Sequence, residues 1–252
     1  KNNVENAKPR KSYAYRPEGA ERRVNFKKVD DTLTIAENAF EDDVRALLTN
    51  QRDQVITYIT KKYKDNKFNF TAIDNLELKN KGKLNTTFKD FYKRMYKMGI
   101  TEGKTELPKK FVTAHMGEGL TGGELEAFLE SKSRQDVKAM LARIDAKVVE
   151  KLVDALRNGA GISQLQISIN EAMSPYTATG IGAKRNGKPI ESYNLKTIAR
   201  TATLGAYNMG RRAVAEDPAL KDFIIGLGLS PVLDAKTSEI CQDVARIRPK
   251  VE

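Results

Sequence analysis

Apolar residues recur at three- and four-residue intervals through most of this chain, a spacing that predicts long amphipathic helices. From Thr34 to about Tyr63 the repeating positions are Phe40, Val44, Leu47, Leu48, Val55, Tyr58, Ile59 and Tyr63. A second helix is expected from around Asn85 or Thr86, with Phe88, Phe91, Tyr92, Met95 and Tyr96 as a bulky aromatic face among Lys89, Lys93, Arg94 and Lys97. Between them, 65–83 is polar and rich in Asn and Lys, and its apolar island of Phe68, Phe70, Ile73, Leu76 and Leu78 predicts a short helix within a connection. The glycines and Pro108 of 99–123 predict a loop or hinge, with a short strand at Phe111 to Ala114. Helix resumes at Gly123, and Ser133 is expected to cap a further one. There Val137, Met140, Leu141, Ile144, Val148, Leu152 and Leu156 form a near-heptad seam ending at Asn158-Gly159. That seam would bury against the 40–63 helix as an antiparallel pair, or against a second copy of the chain.

Ser163-x-x-Gln166 matches a capping box and opens a short helix to about Met173. After Pro175 a glycine-rich excursion carries Lys184-Arg185-Asn186-Gly187-Lys188, which predicts an exposed hairpin or partner-contact loop. Asn194 then looks like a cap for a helix with Ile198, Ala202, Ala206 and Met209 toward the core. Its other side collects Arg200, Tyr207, Asn208, Arg211 and Arg212, and the helix should stop before Pro218. Phe223 to Leu233, apolar and broken by glycine and proline, predicts one or two kinked strands, and Asp234-Ala-Lys-Thr-Ser offers a turn before Cys241. The fold class is therefore mainly α, with long amphipathic helices and a small C-terminal α+β module. The expected division is a basic extended arm or linker over 1–31, a helical domain over 32–160 and the α+β module over 161–252.

Charge adds a partner class. Forty-four basic against 33 acidic residues leave a net +11, which favours polyanions by steering and counterion release, although solubility alone would also account for it. The arm is the most basic stretch. Arg10, Lys11, Arg22 and Arg23, together with Lys184 and Arg185, are the candidate nucleic-acid contacts, and Tyr13 and Tyr15 could stack on bases. A solvated or partner-wrapping tail is the plainer reading of the same residues. One cysteine makes no internal disulfide, and no apolar run approaches the roughly 20 residues that span a bilayer. A start at Lys1 rather than Met reads as an interior or processed piece of something longer.

Little of the chain has the pattern of a reactive centre. His115 has no neighbouring cysteine, and Gly180-Ile-Gly182 lacks the Gly-Lys-Ser/Thr ending of a phosphate loop. Asp42 and Asp43 read as first-turn acids rather than as metal ligands. Asp234, Thr237 and Cys241 are the most enzyme-like group, yet zinc normally takes four ligands and a thiol nucleophile needs a base. The structural account is that Asp234 accepts hydrogen bonds from the following turn, Thr237 caps a short helix and Cys241 packs as a small apolar group. Arg200 and Arg211 would pair with Asp234 or with nearby carbonyls. No catalytic residue, metal or cofactor is expected.

The ordered set Ala199-Arg200-Thr201, Tyr207-Asn208-x-Gly210-Arg211-Arg212, a short apolar strand, then Leu233-Asp234-x-Lys236-Thr237-Ser238-x-x-Cys241 resembles the Mu F-like head-morphogenesis domain of tailed phages. The run from Leu152 to Leu156, followed by Gly161-Ile162-Ser163, extends the likeness upstream. Two departures stand out. Ala202 occupies the place after Arg-Thr where the family carries an acidic residue, and the chain ends at Glu252 without the Gly-containing loop and Pro/His/Cys-rich tail of many members. The resemblance implies a minor capsid protein, assembled in the host cytoplasm and held inside the virion head near the portal. Its implied partners are the portal protein and a major capsid or scaffold protein. Self-association, contact with packaged double-stranded DNA and an influence on DNA retention or ejection are left open, and no membrane is involved. Arg200, Thr201, Asn208, Gly210, Arg211, Asp234, Thr237 and Cys241 would then be structural. The competing readings are a metal- or thiol-dependent enzyme acting on nucleic acid through Asp234 and Cys241, and a non-viral DNA-binding module.

Overall fold

The computed structural model describes residues 26–76, 80–107, 109, 112–113, 122–178, 184–185, 188–189 and 193–220. These residues are mainly helical. Helix α1 spans Phe26–Lys64, α2 Phe70–Asp74, α3 Lys81–Thr105, α4 Gly122–Arg157, α5 Ile162–Thr177 and α6 Tyr193–Ala215, and a 3-10 turn follows at Pro218–Leu220. The one described sheet is a minimal antiparallel hairpin, β1 (Lys184–Arg185) against β2 (Lys188–Pro189), with Lys184 opposite Pro189. Arg10, Lys11, Arg22, Arg23, His115 and the whole 223–241 stretch, Asp234, Thr237 and Cys241 included, lie outside the described residues; of the strand expected at 111–114 only Val112 and Thr113 are described, and they are not in a strand.

Helix α1 begins well before Thr34, so part of the expected arm is helical. The physical reason is that Val29, Leu33 and Ala36 continue the period of Phe40 and Val44, and Leu33 is buried with them. Arg45, mostly buried, pairs with Glu41 and Asp42, and because α1 starts at Phe26, Asp42 and Asp43 lie well inside the helix rather than in its first turn. The C-terminus of α1 closes on Asn66 in the left-handed region, φ 53°, with Lys67 N–H donating to the Lys62 carbonyl at 2.8 Å. Short helix α2 sits inside the predicted connection, capped by the Asn69 side chain and tied to α1 where the Tyr58 hydroxyl donates to the Ala72 carbonyl at 3.1 Å.

Helix α3 starts at Lys81, ahead of the expected Asn85. Asn80 anchors that start on α1 by donating to the Leu47 carbonyl at 3.0 Å and to Asn50 Oδ1 at 3.1 Å. It also runs through Gly99 and Gly103 to Thr105, where a hinge was expected. Helix α4 is likewise one piece: Ser133 is buried inside it and donates to the Glu130 carbonyl at 2.9 Å, so it caps nothing. The near-heptad seam of α4 packs on α3 and α5 instead of forming an antiparallel pair with α1. Gly159, φ 64°, turns the chain at the end of α4 as the Asn-Gly pair implied.

Gly161, not Ser163, holds the cap position of α5, and Gln166 reaches away from the helix start to donate to Thr60 Oγ1 of α1 at 3.2 Å. Helix α5 continues through Pro175. The proline has no N–H for the Glu171 carbonyl, and the Ser174 hydroxyl donates to that carbonyl at 3.0 Å instead. Leu165, Ile169 and Met173 of α5 and Leu195, Ala199 and Ala206 of α6 belong to the same core cluster as Val44, Phe88 and Val148. A boundary at residue 160 therefore does not separate two cores among the described residues.

Candidate functional site

Helix α6 carries the described half of the resemblance motif, and α3 is its main support. Gly210 lies against the α3 backbone so closely that a Cβ there would sit 2.0 Å from the Tyr96 carbonyl oxygen. The contact is mutual, because a Cβ on Gly99 would sit 2.0 Å from the Tyr207 carbonyl oxygen. Small residues thus let two backbones touch, where Gly99, expected in a loop or hinge, meets Gly210 of the expected helix. One residue on, Arg211 donates twice to the Glu106 carboxylate, at 2.6 and 2.8 Å, and its guanidinium lies 5.9 Å from the Tyr207 ring centre.

Tyr207 is buried in the core rather than facing out with Asn208 and Arg212, both of which are exposed. Burial pushes its phenol up to about 12, against a lowering by Arg211 and with Glu102 and Glu106 adding to the rise. The Arg211–Glu106 side chains keep 34% and 24% of their exposure, and a single guanidinium nitrogen, Nη2, serves both carboxylate oxygens, which limits the pair to about 1 kcal/mol. Arg211→Met should lower stability by that amount in urea unfolding, and a loss above about 3 kcal/mol would mean that the guanidinium carries more than this one pair.

The other described motif residues point elsewhere. Arg200 is exposed and, with Lys196, acts on the half-buried Glu37 of α1. Burial nevertheless raises the Glu37 carboxyl above its ordinary 4.5; Asp30 adds to the rise, while Arg200 and Lys196 oppose it. A folded-state value above the unfolded one means that the folded protein holds this proton more tightly. Its contribution is present below 4.5 and is lost as pH rises through the folded value. Glu37→Gln should therefore be more stable than the wild type at pH 7, with the gap closing on acidification, as denaturant midpoints measured on both sides of the window will show.

Thr201, exposed, opens onto a cleft of about 410 Å³ between α4 and α6. Phe128, Met140, Ile198, Gly205 and Met209 give it an apolar lining, and Tyr92 of α3 lies at its base. The expected core stripe of α6 is thus divided: Ala202 and Ala206 are buried, whereas Ile198 and Met209 are only partly buried and line this cleft. The Tyr92 hydroxyl donates to Asp136, which also accepts from Lys132 at 2.8 Å. Burial raises the Tyr92 phenol well above its ordinary range, and the bond to Asp136 and its charge add to the rise. A phenol held protonated and already bonded is a fixed donor, not a base.

Lys132, Asp136 and Arg143 also line the cleft, with Lys132 and Asp136 bonded to each other, so its apolar side chains offer contact surface beside a charged edge. No group of three or more His, Cys, Asp or Glu that could hold a metal ion occurs among the described residues. No described helix is long and apolar enough to cross a membrane. Lys184 and Arg185 form β1 of the hairpin. Glu106, Glu37 and the α4 side of the cleft were not legible beforehand; the only advance signal was the four-residue spacing of Gly99 and Gly103 within an otherwise helical pattern. Compared with models of known protein families, with curated proteins and with solved structures, the chain matches none.

Proposed function

We propose that this chain is a minor capsid, head-morphogenesis protein of a tailed phage that docks beside the portal inside the head and acts by binding. The observation that carries the reading is the division of labour along α6. Gly210 and Arg211 fasten the helix to α3, while Thr201 and Asn208 of the same motif face outward from it, Thr201 at an open apolar cleft. A polar motif that secures a helix needs no substrate, and a rigid helix beside an apolar cleft is what a docking partner requires. The same reading assigns 161–252 to a Mu F-like α+β module, with α5, the hairpin and α6 as its described part. The basic arm and hairpin, through Arg10, Lys11, Arg22, Arg23, Lys184 and Arg185, would contact packaged DNA, with the major capsid or scaffold protein as a second neighbour.

Gly205 provides the test. It lines the cleft, and nothing lies within 4 Å of a Cβ placed on it, so Gly205→Arg fills the cleft without disturbing the helices. The variant should melt no lower than the wild type and lose copurification with the portal in assembled heads by about 10-fold or more, the effect of blocking an interface centre. Unchanged incorporation would contradict the reading. So would stoichiometric zinc, or DNA hydrolysis, that is lost in Cys241→Ala.

A further inference from the structure

At the end of α1 the chain runs Lys61-Lys62-Tyr63-Lys64-Asp65-Asn66-Lys67-Phe68-Asn69-Phe70, four lysines and three aromatics with one acid. The corner is closed by its own hydrogen bonds. Besides the Lys67 to Lys62 bond, Asn66 N–H donates to the Tyr63 carbonyl at 3.1 Å, and Asn69 Oδ1 accepts from Ala72 N–H at 3.0 Å. The Tyr63 and Phe68 rings lie 6.5 Å apart at 46°, and the Lys62 ammonium sits 5.4 Å from the Tyr58 ring centre.

Two features have no internal explanation. Tyr63 keeps 38% of its exposure and Phe70 50%, so both rings present a face to solvent. Lys61, Lys64 and Lys67 are exposed, and the salt bridges of the described residues lie elsewhere. Lysines in a last helical turn complement the helix dipole, which would cover Lys61, Lys62 and Lys64. That account leaves out Lys67, which lies beyond the helix, and both exposed rings. The topology adds another cation to the same end of the bundle. Helix α4 finishes at the exposed Arg157, just before α5, whose Gln166 is bonded to Thr60 of α1.

We propose that this corner binds single-stranded nucleic acid, with Lys61, Lys64 and Lys67 on phosphates and Tyr63 and Phe70 stacked on bases. The rings decide the strand state. Lysines alone hold duplex and single strand alike, whereas an exposed ring gains most from a base whose face is free. The site uses other residues than the arm and the α4–α6 cleft, and it stands whether or not the chain belongs to a phage head.

Fluorescence anisotropy of the full chain tests it, with a labelled oligothymidylate of about 20 nucleotides and a duplex of about the same length, between roughly 50 and 200 mM salt. The single strand should bind more tightly than the duplex. Lys61→Glu/Lys64→Glu/Lys67→Glu should weaken it by about 10-fold or more and reduce the salt slope by about 2, the release expected for three phosphates. Tyr63→Ala/Phe70→Ala should weaken the single strand by about 10-fold and leave both the slope and the duplex affinity unchanged. Tyr63→Leu/Phe70→Leu, apolar but unable to stack, keeps the test informative if truncation loosens the corner. Failure of the wild type to bind the single strand overturns the proposal, as does wild-type affinity in the lysine or ring variants. So does binding lost only in Arg10→Ala/Lys11→Ala/Arg22→Ala/Arg23→Ala, which would move the contact to the arm.

Discussion

Gly210→Ala should destabilise the protein by about 2 kcal/mol, a fall of roughly 4–8 °C in the melting temperature for a chain of this size. The added methyl would lie 2.0 Å from the Tyr96 carbonyl oxygen and 2.9 Å from both the Tyr96 carbonyl carbon and the Ile100 nitrogen. All three atoms are backbone, so no side chain can rotate away, and α3 must move along a contact that also seats Gly103 against Val214. Alanine would by itself favour the helix by about 1 kcal/mol, and the clash is expected to outweigh that gain about threefold. Gly205→Ala is the matched control on the same helix. With nothing within 4 Å of its Cβ, it should raise stability by about 0.5–1 kcal/mol. Because Gly99 and Gly210 meet at one crossing, Gly99→Ala/Gly210→Ala should lose less than the sum of the single changes. Thermal and urea unfolding of the wild type and the four variants, Gly99→Ala included, would check this, and equal stability of Gly210→Ala and Gly205→Ala would refute the close crossing.

Phe88→Ala should cost about 4 kcal/mol, the largest loss expected of any single truncation in the α1–α3 core. Phe88 is fully buried on α3, edge-on to Phe40 of α1 at 4.9 Å and to Tyr92 at 6.0 Å. Phe40 in turn stacks on Phe91 at 4.0 Å with the planes 10° apart. Removing the central ring leaves a void bounded by aromatics that cannot bend to fill it, so both the transfer and the cavity contributions apply. Phe88→Leu, which refills part of the volume, should lose only about 1–2 kcal/mol. Urea midpoints at unchanged slope would measure both; a loss below about 1 kcal/mol for Phe88→Ala would show that this cluster is not the core of the α1–α3 contact.

The helices were legible wherever large apolar residues repeat, as at Phe40 to Tyr63 and Phe88 to Tyr96. Boundaries failed where one signal overrode another. The basic residues around Lys27 hid the continuing period of Val29, Leu33 and Ala36, and Ser133 looked like a cap although it is a buried hydroxyl satisfied inside a continuous helix. The α3–α6 crossing was illegible for a different reason. A backbone contact made by Gly99 and Gly210 leaves no apolar stripe, and Gly99, among the glycines of 99–123, reads as a break. The motif half of the candidate site could be picked out in order along the chain, but the carboxylates it meets could not. Glu106 and Glu37 are distant in sequence and carry no local pattern.

The most direct measurement is a site-specific photocrosslink from a benzoylphenylalanine placed at Thr201, at the mouth of the α4–α6 cleft, in assembled particles. The account predicts one dominant adduct, joining this chain to the portal protein and absent when Gly205→Arg fills the cleft. Adducts confined to this chain, or none to any head protein, would contradict it.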